Sequence, residues 1–61
     1  MYIVFFSTND VFEAEERLNN SNVECKVVPT PVTDKAYCGV CIEINDDKYE
    51  PLLEGMEYNI L

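Results

Sequence analysis

The 61-residue chain has no histidine, only four basic residues against twelve acidic ones, three cysteines, and no long apolar run. Each shortage excludes something. With a formal net charge of −8, the chain lacks the basic, counterion-releasing surface that nucleic-acid binding needs, so a basic protein partner fits better. Without histidine, a zinc site would need all three cysteines plus a carboxylate; neither a metal site nor a cofactor is expected. An odd cysteine count does not make the even disulfide framework of a small secreted domain, which points to a reducing, cytoplasmic compartment. The opening MYIVFFSTND is apolar for only six residues and has no basic leader, so it is read as a strand and not as a signal peptide. No stretch approaches the roughly 18 to 20 apolar residues of a membrane span. No repeat, linker or low-complexity segment breaks the chain.

What remains is 48% hydrophobic and 26% charged, the balance of one small globular domain over residues 1–61, close to the size at which a single core barely suffices. Residues 2–6 are apolar on both faces and read as a central strand. Ser7, Thr8 and Asn9 offer side-chain oxygens for a helix start, and Val11, Ala14 and Leu18 form its apolar stripe while Glu13, Glu16 and Arg17 face water. The run NNSN ends it. Residues 23–28 alternate, with Val23, Cys25 and Val27 on one face, until Pro29 and Pro31 end the ladder. After a loop reaching Tyr37, residues 39–45 alternate again, with Val40, Ile42 and Ile44 toward the core and Cys41 and Glu43 away from it.

Tyr49, Leu52, Leu53 and Met56 then have the spacing of a second short amphipathic helix, with Pro51 in its first turn and Gly55 as a left-handed terminator. The closing EYNIL alternates as a last strand. The order β-α-β-β-α-β predicts an α+β, ferredoxin-like domain: a four-stranded antiparallel sheet with two helices on one face.

The chemistry concentrates in AYCGVC, where Cys38 and Cys41 have the C-x-x-C spacing. Three residues apart in a strand, the two thiols point to opposite faces. At about 3.3 Å per residue they stand roughly 10 Å apart, beyond the ~7 Å reach of a disulfide. A redox pair would need Cys38 to curl out of the strand. Cys25 shares the core face, where a free cysteine serves as a small hydrophobe. Cys38 is left as an exposed thiol where a proline-rich loop meets a strand. Its neighbour Gly39 lacks a side chain that would keep backbone amides from a small anion.

The segment VVPTPVTDKAYCGVCIEI, with FFSTNDVFEAEERL near the start, resembles the selenium/sulfur carrier protein-like family of small bacterial domains. The resemblance spans nearly the whole chain and is most specific at Pro29-Thr30-Pro31 and Cys38-Gly39. It implies a carrier and not an enzyme in the strict sense: Cys38 would hold the chalcogen as a persulfide or selenopersulfide, receive it from a donor such as a cysteine desulfurase, and pass it to an acceptor protein. Thr30, Pro31, Lys35 and Gly39 would support the site; Cys41 lies outside the family's motif and could act as a resolving thiol only if the loop folds over the strand edge. The chain carries Val32 where the family has a basic residue, and Ala36 and Tyr37 where it has small hydroxyl residues, which leaves Lys35 as the available cation.

A second reading from the residues alone is a small interaction module without chemistry. The sheet face away from the helices is expected to expose some of Ile3, Phe5, Val28, Cys41, Asn59 and Leu61, enough for a homodimer or a protein partner. A C-x-x-C redox protein is the third reading.

Overall fold

A computed structural model describes residues 1–31 and 36–61. The elements run β1 (Tyr2–Phe5), α1 (Thr8–Asn20), β2 (Cys25–Pro29), β3 (Val40–Ile44), a 3-10 turn (Glu50–Leu53) and β4 (Tyr58–Ile60). The fold is α+β, with one α-helix and a four-stranded sheet in the order β2-β3-β1-β4. All three strand pairings are antiparallel. The apolar β1 is indeed a central strand, held by β3 on one side and β4 on the other.

The second helix is corrected. In place of an amphipathic α-helix over 49–56, the chain makes a four-residue 3-10 turn with Pro51 near its start. A proline has no amide hydrogen, and the surviving bonds, Leu52 N–H to the Tyr49 carbonyl and Leu53 N–H to the same oxygen, close a single turn. Gly55, at φ +87°, then takes the left-handed conformation that lets the chain turn into β4. Leu53 alone of this turn is buried.

Helix α1 packs one face onto the sheet. Val11, Ala14 and Leu18 are fully buried against Ile3, Phe5, Ile42 and Ile44, so the core lies between the helix and one sheet face. The expected side-chain cap is absent: Ser7 is the extended N-cap residue, but its backbone carbonyl, not its hydroxyl, engages the Asp10 and Val11 amides. At the other end, Asn22 adopts φ +62°. Its N–H bonds the Asn19 carbonyl at 3.0 Å, and Val23 N–H bonds the Leu18 carbonyl at 2.9 Å. That pair of bonds is a Schellman closure, with Val23 folded back beside Leu18 in the core.

Arg17, expected to face water, instead ties the helix to the 3-10 turn. Its guanidinium donates to the carbonyls of Leu52 and Glu54 as well as to Glu13 Oε2 at 2.7 Å. The list of open-face residues is also corrected: Ile3 and Phe5 face α1, where both are fully buried. Val28, Cys41 and Asn59 do lie on the far face, in a row across the sheet through Val4, because Val28 pairs with Cys41, Cys41 with Val4 and Val4 with Asn59.

Candidate functional site

Three strand ends meet around Cys38. Strand β2 extends as far as Pro29, the last residue of an edge strand, where a missing amide hydrogen breaks no ladder bond. Thr30 then adds one more rung: its N–H donates to the Gly39 carbonyl at 3.0 Å. Its hydroxyl donates to the Cys38 carbonyl at 2.8 Å. From the other side Cys38 N–H donates to the Phe5 carbonyl at the end of β1, at 3.0 Å. Both backbone groups of Cys38 are therefore held, one by β1 and one by Thr30.

The Cys38 thiol is half-buried, not exposed as its loop position suggested. It packs against the core on the α1 side, and its S–H donates to the Val40 carbonyl at 2.9 Å. Gly39 has an ordinary backbone conformation, and a Cβ placed there would meet nothing within 4 Å. The surface over Gly39 is therefore open, whereas the Cys38 sulfur itself lies against the core.

Cys41 is fully buried on the opposite face. Burial pushes its thiol up from the ordinary value, the Thr30 hydroxyl pulls it partway back, and the nearby Cys38 and Glu43 push it up further. Cys25 is half-buried on the core side, its sulfur 3.9 Å from Asn19 Oδ1. Burial, then Glu15, push its thiol up as well. The structure thus brings Thr30, Cys38 and Gly39 together and places Cys41 behind them. Pro31 is exposed at the loop's start, and Lys35 lies outside the described residues.

Residue spacing did not announce the contacts of Tyr37, the residue before the cysteine. The Tyr37 ring stacks at a tilt on Phe6, with centroids 5.4 Å apart, and Asn59 Nδ2 on β4 donates to the Tyr37 hydroxyl at 3.0 Å. Thr30 lies beside Cys41, and Tyr37 lies on Asn59, both in the Val28–Cys41–Val4–Asn59 row. Val4 and Cys41, in the middle of that row, are fully buried although α1 lies on the other side.

Two hollows among the described residues lie at the far end of β2 and β3. One of about 400 Å³ is lined by Asn19, Cys25 and Glu43 among others, and one of about 700 Å³ by Asn22, Glu24, Asn45, Asp46 and Asp47. Among the described residues, no group of three or more cysteine, aspartate or glutamate side chains could hold a metal ion. No helix among them is long and apolar enough to cross a membrane.

The described residues thus form a small α+β domain with one half-buried cysteine whose main chain is pinned at a loop-to-strand junction. The chain belongs to the family described as "Putative Se/S carrier protein-like", whose model matches residues 1–61. Neither the curated proteins nor the solved structures contain a match to it.

Proposed function

We propose that this protein carries sulfur or selenium as a persulfide or selenopersulfide on Cys38. The observation that carries the reading is the Cys38 main chain, held by the Phe5 carbonyl on one side and the Thr30 hydroxyl on the other, in a chain that belongs to a carrier-like family. Such a thiol can meet a partner's sulfur without a pocket. In the loading step the Cys38 sulfur, as thiolate, attacks the terminal sulfur of a donor persulfide. The new S–S bond forms as the donor's S–S bond breaks, and the donor cysteine leaves with the electron pair and takes a proton, so no net oxidation occurs. Unloading is the same exchange toward an acceptor nucleophile.

The donor is of the cysteine desulfurase type, and the acidic surface suits a basic face on it. The carrier works in the cytoplasm. Its scaffold is the ferredoxin-like plan with the second helix reduced to a 3-10 turn, a reading that the strand order β2-β3-β1-β4 supports. Cys41 is a structural residue in this scheme and not a resolving thiol, because it is buried on the opposite side of the sheet and its thiol is pushed toward the protonated form. The same separation counts against a C-x-x-C redox pair.

The test is incubation with a cysteine desulfurase and cysteine, followed by peptide mass mapping. The expected result is one added sulfur atom on the Cys38 peptide and none in Cys38→Ser, with fold and association state unchanged. Failure to load where a known carrier loads would sink the sulfur form, and the selenium form meets the same test with selenocysteine and its lyase.

A second reading, an interaction module, draws on the exposed Phe6 and Phe12 and on Ile60 and Leu61 along the β4 edge. It predicts that Cys38→Ser is without consequence and that the protein forms a homodimer or binds a partner through these residues.

A further inference from the structure

We infer that Thr30 is a positioning residue for Cys38, fixing the main chain from which the thiol works; the inference rests on the carrier reading for its functional consequence but not for its geometry. Two independent groups of Thr30 act on consecutive residues. Its amide holds the Gly39 carbonyl at 3.0 Å, and its hydroxyl holds the Cys38 carbonyl at 2.8 Å. The first bond belongs to any residue that extends the β2–β3 rung; the second needs a side-chain donor one bond from Cβ. Valine has threonine's shape without that donor, and serine has the donor without the methyl group.

The geometry also explains why a threonine stands between two prolines. Pro29 and Pro31 cannot donate from their own nitrogens, so the rung and the clamp at this end of β2 both fall to Thr30. Without the hydroxyl, the Cys38 carbonyl loses its Thr30 partner on the β2 side, while the Cys38 N–H keeps its bond to the Phe5 carbonyl. The S–H to Val40 bond is set by the same main chain, since donor and acceptor are two residues apart in one short segment. Releasing the Cys38 carbonyl lets the thiol leave the orientation in which it donates to the Val40 carbonyl.

The experiment compares the wild type, Thr30→Val and Thr30→Ser as full chains with two readouts. Amide hydrogen exchange is followed at Cys38 and, as controls, at Leu18 and Ile42 in the core. Sulfur uptake by Cys38 from glutathione persulfide is followed by peptide mass. In Thr30→Val, protection at Cys38 is expected to fall about fivefold, the worth of one ordinary hydrogen bond, with the core amides unchanged and uptake slowed by a similar factor. Thr30→Ser is expected to restore both. An unchanged Cys38 amide in Thr30→Val, an equal loss of protection in the core, or unchanged uptake despite a loosened Cys38 would each overturn the inference. If the wild type takes up no sulfur while the exchange pattern appears as described, the positioning stands and the carrier reading falls.

Discussion

Cys38 and Cys41 differ by more than their spacing suggests. One is half-buried at a loop end, and the other is sealed behind the sheet with burial pushing its thiol up. In the native protein iodoacetamide should therefore modify Cys41 at least about tenfold more slowly than Cys38, because alkylation needs an accessible thiolate. Equal rates, read from peptide masses over time, would contradict this placement. The same burial has a pH consequence. Cys41 and Cys25 both hold their protons more tightly when folded than the ordinary thiol value of 9.0. The unfolded chain thus releases these protons first as the pH rises, and stability that is fully present below that value is lost as the pH climbs through the raised thiol range. Urea midpoints should be level between about pH 7 and 8 and fall beyond about pH 9. Replacing Cys41 with valine should flatten part of that fall.

At the scale of elements, the joints matter more than the strands. Asn22 holds the left-handed position that closes α1, a conformation glycine adopts without strain. Asn22→Gly should match or raise stability by a few tenths of a kcal/mol, whereas Asn22→Ala should lower it by about 1 kcal/mol, measured by urea unfolding. Arg17 joins α1 to the 3-10 turn through two backbone carbonyls. Arg17→Met keeps the aliphatic stem and removes the donors, and it should cost about 1 kcal/mol, most of it from the carbonyl bonds, since the exposed ion pair to Glu13 adds little. That joint is where sequence reading went astray. The apolar spacing of Tyr49, Leu52, Leu53 and Met56 fits an amphipathic helix, but Pro51 and Gly55 stand only four residues apart and leave room for one turn. Arg17 looked solvent-facing by periodicity because its partners come from a segment 35 to 37 residues away.

For the molecule as a whole, a net charge of −8 on 61 residues is a self-repulsion that salt relieves. Raising the ionic strength from about 20 mM to about 0.5 M shortens the screening length from roughly 20 Å to about 4 Å. The Tm should rise by several degrees, and a fall would mean that specific ion pairs outweigh the repulsion. Binding to a basic donor should weaken over the same range if the acidic surface steers the encounter.

The alternation of residues by itself determined which side chains share a face. Val11, Ala14 and Leu18 on the helix, and Ile42 and Ile44 against Cys41 and Glu43 on β3, all lie as period 3.6 and period 2 require, because burying one face is what a short chain can achieve locally. The family was legible in Pro29-Thr30-Pro31 and Cys38-Gly39 for a related reason: residues that set backbone geometry leave a local mark. Tertiary structure alone decided which way each face of β1 points, since a strand apolar on both sides carries no sign of direction until α1 packs against Ile3 and Phe5. It alone brought Thr30 to Cys38, Asn59 to Tyr37 and Arg17 to Glu54, because a hydrogen bond depends on where two distant strands or turns meet and periodicity says nothing about that.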